Sequence, residues 1–166
     1  MKLLSRIRRV YFFGYGADSE PDMIQAITGH KPRVVGVALL ADYELRVQHL
    51  SEITTKGANP QAILRKGWGG SFKSYVIVPS PGHVVKGTLF KVSLHDRHLI
   101  DNWEFVGQGW YDKAFVAVQL NDSGKVYSAE TQVLAPGQDA AQPASGLDYE
   151  SWLQPKSQFV SIARNI

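Results

Sequence analysis

The sequence predicts an α+β domain whose core is a small mixed β-barrel flanked by helices. Apolar, β-branched segments outnumber segments with a helical stripe, roughly six to two. The strands and helices follow neither a regular βαβ alternation nor the spacing of a sandwich, which favours a mixed sheet. The chain has 166 residues, 44% of them apolar, which is enough for one domain with a sizeable core.

The first half of the chain contains the first strand and the first helix. An apolar run over residues 10–15 predicts a buried strand that enters a tight turn at Gly16. Ser19 is placed to cap a following helix, which Gly29 ends. Residues 34–47 predict a long strand bent near Asp42. Residues 48–74 read mostly as loop, with a short strand at 62–64.

The second half predicts strands at residues 75–78 and 84–92, separated by the turn sequence PSPG. Ser93 then caps a helix over 94–103, with Leu94, Leu99, Ile100 and Trp103 toward the core. Strands at 111–120 and 125–134 are joined by the turn NDSG. We therefore expect a basic arm at 1–9, a folded domain at 10–136 and an extension at 137–166 that contains one short helix.

Composition excludes several classes of function. The absence of cysteine rules out disulfides, a cysteine nucleophile and thiolate metal sites, and it fits a reducing, cytoplasmic compartment. The net charge of +3 comes from an arm containing Lys2, Arg6, Arg8 and Arg9. No basic, aromatic face follows this arm, so nucleic-acid binding is not expected. No apolar run is long enough to cross a membrane.

Familiar motifs are missing. The sequence GYGADS lacks the third glycine of a dinucleotide fingerprint, and GWGGSFK lacks the spacing of a phosphate-binding loop. His95 and His98 are three residues apart on a helix without a third ligand in reach, so we expect no metal site there. The sequence indicates no cofactor.

Two segments nevertheless have the features of a site. In FGYGADSEP, glycines allow the backbone to approach a ligand at a helix N-terminus, although Asp18 and Ser19 could instead cap the helix. In IDNWEFVGQGWY, Glu104 lies between aromatic residues just before a glycine break. Such surroundings raise the pKa of a carboxyl group and suit a general base, whereas an exposed glutamate at a helix end is the alternative.

The order of these segments resembles the γ-glutamylcyclotransferase superfamily, which includes the plant AIG2-like proteins. The matching segments over residues 10–134 are FGYG after the first strand, PRVVGVALLADYEL, VVKGTLFKVS and LIDNWEFVGQGWYDKAFVAV. The resemblance implies a mixed β-barrel flanked by helices. It also implies that Glu104 is the general base and that Tyr15, Gly16, Ala17, Asp18 and Tyr111 contact the substrate.

The implied reaction is an intramolecular acyl transfer on a small γ-glutamyl amine or peptide. The α-amine attacks its own γ-carbonyl, releasing 5-oxoproline and an amine, without a cofactor. Four positions depart from the family pattern. The YGSNL-type turn contains Ala17 and Asp18, and Phe105 replaces the glycine that usually follows the glutamate. A tyrosine common in the last strand aligns with Gln132. These departures motivate a second hypothesis, a non-catalytic member that binds a small molecule or a protein. A third and weaker hypothesis is an anion binder that uses Arg6, Arg8 and Arg9.

Overall fold

The computed structural model describes residues 8–54, 60–144 and Ser161, and its centre is a closed, mixed β-barrel. Five strands close in the order β3-β1-β5-β4-β2, and β2 pairs back onto β3. The β1–β5 pair is parallel and the other barrel pairs are antiparallel. The strands are β1 (Arg9–Gly14), β2 (Arg33–His49), β3 (Lys73–Ser93), β4 (Tyr111–Leu120) and β5 (Val126–Leu134), with a two-residue β6 (Gln142–Pro143) added beside β2.

Three α-helices are described: α1 (Pro21–Thr28), α2 (Pro60–Trp68) and α3 (Leu94–Trp103). Short 3-10 turns cover Gly16–Ser19 and Leu50–Glu52. The α+β barrel predicted from the sequence is therefore confirmed. Within the described ranges no helix is both long and apolar enough to cross a membrane.

Strands β2 and β3 form one long antiparallel pair, and a bulge replaces the predicted break in β3. The register shifts between Ala41 and Tyr43, where Asp42 adopts a left-handed φ of 66°. Residues 80–83 lie opposite this bend, and the Gly82 N–H donates to Asp42 Oδ1 at 3.0 Å. The expected bend in β2 is confirmed. The expectation that PSPG ends a strand was wrong, because the extra residues are absorbed as a bulge.

Side chains pack on both faces of the barrel wall. Phe13, Tyr15 and Leu89 point into the barrel interior. On the other face, Phe12 and Phe90 pack against Ile24 of α1 and Ile100 of α3. Alternation along β1 therefore directs Phe12 toward the helices and Phe13 into the barrel. The fold thus holds α3 against β1, and its C-terminal end carries Glu104.

Two local expectations were wrong, and a third was incomplete. Residues 62–64 belong to α2 instead of a strand, because Leu64 and Trp68, one turn apart, pack against Phe72. Ser19 does not cap α1, since its hydroxyl donates to the Gly16 carbonyl at 2.7 Å. In α3 the fully buried residues are Ile100 and Arg97, so a charged side chain occupies part of the expected apolar face.

Other expectations were met or lie outside the described residues. Ser93 caps α3 by accepting the Asp96 N–H at 3.0 Å, and Gly29 ends α1 in the left-handed conformation. Strands β4 and β5 match their predicted ranges within one residue. Lys2, Arg6 and the helix predicted in 137–166 lie outside the described residues.

Candidate active site

The glycine turn after β1 is folded back tightly on itself. A Cβ on Gly14 would lie 2.1 Å from the Asp18 carbonyl oxygen, so only glycine fits there. Gly16 has a φ of 59°, and a Cβ there would lie 3.1 Å from the Tyr75 side chain. The Asp18 N–H donates to the Tyr15 carbonyl at 3.2 Å, which closes the 3-10 turn. The turn therefore depends on glycine at both positions.

Asp18 faces the barrel wall and the end of α3. Its side chain is buried, with 2% of the residue exposed. Gln132 Nε2 donates to Asp18 Oδ2 at 3.3 Å, and the Asp18 carboxyl also interacts with the Glu104 carboxyl as a hydrogen-bond partner. Glu20 occupies the N-cap position of α1. The capping role considered for Asp18 is therefore not what the fold shows.

Glu104 is the residue at which α3 ends. Its N–H donates to the Ile100 carbonyl at 3.0 Å, and the next residue, Phe105, turns the chain with a φ of 53°. The residue as a whole is half-buried, yet its carboxyl group is removed from solvent and faces Asp18. The structure thus brings Glu104 and Asp18 of the glycine turn together.

The pKa values of both carboxyl groups are raised, and each group affects the other. Burial raises the pKa of Glu104 well above its usual value, and the negative charge of Asp18 raises it further. Burial also raises the pKa of Asp18, although its hydrogen bonds with Glu104 and Gln132 and the Arg97 charge oppose that rise. The two carboxyls therefore titrate as a coupled pair in which burial favours the protonated form.

A buried guanidinium lies at the centre of the surrounding charges. Arg97 has no exposed surface, and its Nη1 lies 2.7 Å from Asp101 Oδ1 while its Nε lies 3.5 Å from Glu130 Oε1. The Arg97 charge also acts on Asp18 and Glu104. Its guanidinium lies 4.6 Å from the centre of the Phe12 ring. Arg97 thus offsets part of the negative charge that four carboxyl groups bring to this side of the barrel.

Three polar side chains complete the site. The Tyr15 hydroxyl donates to the Gln132 carbonyl at 2.9 Å, which ties the turn to β5. The Tyr111 hydroxyl donates to the Tyr75 carbonyl at 3.3 Å and shares a hydrogen bond with Ser74 at 3.2 Å. Burial, followed by the Glu104 charge, raises the pKa of Tyr111 well above its usual value. Tyr111 therefore stays a neutral hydroxyl near Glu104 at ordinary pH.

Aromatic side chains form a wall beside Glu104. The rings of Phe105 and Trp110 are 6.2 Å apart, and Trp68 lies 5.8 Å from Trp103 and 5.4 Å from Phe72. Phe105 directly follows Glu104, so this cluster adds apolar surface next to the residue. An open cleft elsewhere, lined by Ser51, Glu52, Thr54 and residues 139–141, includes none of the predicted site residues.

No cluster of three potential metal ligands occurs in the part of the chain that the structure describes. The sequence analysis missed Arg97, although a signal existed. Arg97 precedes Asp101 by four residues and Glu104 by seven, which places all three on one helical face. The contact between Gln132 and Asp18 joins residues 114 positions apart, so no local pattern indicated it.

The fold and this arrangement define a class of protein: small closed barrels in which a glycine turn faces a buried glutamate at a helix end. A family model described as γ-glutamyl cyclotransferase, AIG2-like, matches residues 11–154. The chain therefore belongs to this family. A comparison with curated proteins finds no match.

Solved structures show the same fold at low sequence identity. A protein titled γ-glutamyl cyclotransferase is 18% identical with a TM-score of 0.66, covering 95% of this chain and 79% of its own. An uncharacterized protein from Homo sapiens is 20% identical with a TM-score of 0.64, covering 82% and 72%. An AIG2-like protein from Mus musculus is 12% identical with a TM-score of 0.52, covering 87% and 99%. These likenesses establish the barrel topology.

Proposed function

We propose that the protein is a γ-glutamylcyclotransferase, which cyclises a small γ-glutamyl amine or peptide to 5-oxoproline and releases the amine. One observation carries this proposal: the buried Glu104 carboxyl meets the glycine turn through Asp18. Family membership supports the class of reaction. The absence of cysteine fits a reducing compartment, and we place the reaction in the cytoplasm.

The reaction asks little of the protein beyond positioning and proton transfer. Amine and γ-carbonyl belong to one molecule, so the site has to hold the substrate in the conformation in which they meet. The α-ammonium must lose a proton before its nitrogen can attack. Glu104 suits that step because its raised pKa makes it a stronger base than an exposed carboxylate. This chemistry needs no cofactor.

The turn and its neighbours supply the substrate contacts in this proposal. Backbone N–H groups at Gly16 and Ala17 would hold a carboxylate or the developing oxyanion. The Tyr111 hydroxyl would turn from the Tyr75 carbonyl to donate to the same oxygen or to the substrate carboxylate. Tyr15 acts indirectly, because its bond to Gln132 fixes the turn against β5.

Release of 5-oxoproline from a panel of γ-glutamyl amines, amino acids and peptides tests the proposal. We expect turnover by the wild type and a loss of about 10²–10⁴-fold in Glu104→Gln. Glu44→Gln is the matched control, since Glu44 pairs with Arg46 and is not part of the site. Equal rates in the wild type and Glu104→Gln would refute the role of Glu104.

A second candidate is a non-catalytic member that binds a small ligand. The contact between Asp18 and Glu104 favours it, because Asp18 occupies part of the space in which a substrate amine would meet the base. Thermal stabilisation by a γ-glutamyl compound, without any 5-oxoproline, distinguishes binding from turnover. Loss of that stabilisation in Gly16→Ala would locate the ligand at the turn, because Gly16 has a left-handed φ and a close neighbour.

A further inference from the structure

Asp18 and Glu104 form a carboxyl pair in which both groups are withdrawn from water. They interact as hydrogen-bond partners, and a hydrogen bond between two carboxyls requires a proton on one of them. Two ionised carboxylates that interact directly in a buried site would repel each other strongly. Burial therefore favours a pair that shares one proton over a pair with two negative charges.

The groups around the pair are consistent with this state. On the side of Asp18, Gln132 Nε2 donates to Oδ2 at 3.3 Å. The Arg97 cation lies near both carboxyls, and Asp101 acts on Glu104 from the same helix. Tyr111 faces Glu104 from β4.

Glu130 and Lys113 are the remaining charged groups on this side of the barrel. Both affect the pair only through the charged groups that they contact. Lys113 Nζ pairs with Glu130 at 3.2 Å and with Asp101 at 3.0 Å. One nearby cation, Arg97, thus offsets the single negative charge of the pair.

Within the described part of the chain, one oxygen of the pair lacks a hydrogen-bond donor. Asp18 Oδ1 has no well-aligned hydrogen-bond partner among the described residues, although it is buried. A free lone pair on a buried carboxylate is a position at which an ammonium group can bind and give up a proton.

We infer that Asp18 is a second acid–base group, which shares one proton with Glu104 and works with it during cyclisation. This inference rests on the proposed function. The attacking nitrogen passes from ammonium to lactam N–H and loses two protons, and the leaving nitrogen passes from amide N–H to ammonium and gains two. One C–N bond forms, one breaks, and nothing is oxidised or reduced.

A pair that holds one proton matches this exchange. Its ionised carboxylate accepts a proton from the α-ammonium, and its protonated carboxyl delivers the stored proton to the leaving nitrogen. The second transfer follows the same route and returns the pair to its starting state. A single carboxylate would have to accept a proton from the attacking nitrogen before it could donate one to the leaving nitrogen.

Titration of the side-chain carboxyl carbons by NMR tests the shared proton without any substrate. In the wild type we expect Asp18 and Glu104 to titrate in two separated steps. In Asp18→Asn the Glu104 step moves to lower pH, because the neighbouring negative charge that raises its pKa is gone. Glu130→Gln is the matched control and leaves the Glu104 step in place. Coincident steps in the wild type, or an unmoved Glu104 step in Asp18→Asn, overturn the inference.

The pH dependence of turnover tests the acid–base role. Asp18→Asn keeps the shape of the side chain, and we expect kcat to fall about 10²-fold and the acidic limb to move to lower pH. An unchanged kcat and limb would show that Asp18 only shapes the turn. If the wild type shows two separated titration steps but forms no 5-oxoproline, the proposed reaction and the catalytic role of Asp18 are both wrong. The shared proton would still be established by the titration.

Discussion

Replacing Arg97 by methionine tests whether the charges beside the site are balanced by one buried cation. Methionine keeps an unbranched apolar side chain against Phe12 and removes the guanidinium. The carboxyls of Asp101 and Glu130 then lose a partner at 2.7 Å and 3.5 Å. Asp18 and Glu104 lose a favourable charge as well.

The expected loss follows from burial. Removing one partner of a buried ion pair costs about 3–5 kcal/mol, because the remaining charges stay out of water without compensation. Stacking of a desolvated guanidinium on a ring, here Phe12, contributes up to roughly 2 kcal/mol of that loss. For a chain of this size, the loss lowers Tm by roughly 6–20 °C.

Urea and thermal unfolding followed by circular dichroism measure this loss, and Lys113→Met is its control. Lys113 contacts the same two carboxyls, at 3.0 Å and 3.2 Å, but its side chain is 31% exposed. Its removal should cost no more than about 1 kcal/mol. Adding Asp101→Asn to Arg97→Met should recover part of the stability, since it removes one of the stranded charges.

Equal losses in Arg97→Met and Lys113→Met would refute the reasoning. So would a further loss when Asp101→Asn is added to Arg97→Met. Either result would mean that solvent reaches these carboxyls and that burial does not determine the pKa of Glu104.

Three other changes test the site by stability alone. The free energy of unfolding of Phe105→Gly should exceed that of Phe105→Ala by about 1 kcal/mol, because the backbone at this position is left-handed, with a φ of 53°. A more stable Phe105→Ala would contradict that backbone conformation. Gly14→Ala should cost several kcal/mol by forcing a Cβ to 2.1 Å from the Asp18 carbonyl, whereas Gly67→Ala, with open space around it, should be neutral or stabilising by up to about 1 kcal/mol. Glu104→Gln should be more stable than the wild type at neutral pH, and the difference should vanish in acid. The folded-state pKa of Glu104 is raised, so the folded chain holds a proton that the unfolded chain releases, and wild-type stability falls as pH rises above the unfolded value. A gain that persists in acid would contradict that sign.

Local signals were sufficient to predict most of the barrel. The cap at Ser93 and the left-handed Gly29 were readable because each depends on a few neighbouring residues. Helix α2 was not readable, because its apolar residues are few and Gly67 interrupts it. Its position depends on Leu64 and on Phe72, which lies beyond its end.

The site was predictable in part for the same reason. Glu104 and the turn at Gly16 were identified from local sequence and from a family resemblance. Their meeting depends on the closure of β1 against β5, and the orientation of Asp18 depends on Gln132, 114 residues away. The burial of Arg97 is a tertiary effect of α3 packing on Phe12. Such pairings leave no trace in the spacing of one segment.

Two of the departures from the family pattern, Asp18 and Phe105, lie beside the same carboxyl, and each costs stability. Asp18 places a second acid against Glu104, and Phe105 adopts a left-handed backbone that a glycine would adopt without strain. The Val106 N–H holds the turn by donating to the Asp101 carbonyl at 3.0 Å, while the Phe105 ring packs 6.2 Å from Trp110. Neighbouring acids and a strained backbone are unfavourable, so the surrounding structure must hold them in place. Both features are common at functional sites. Their joint presence around Glu104 supports the proposal that this carboxyl is the general base.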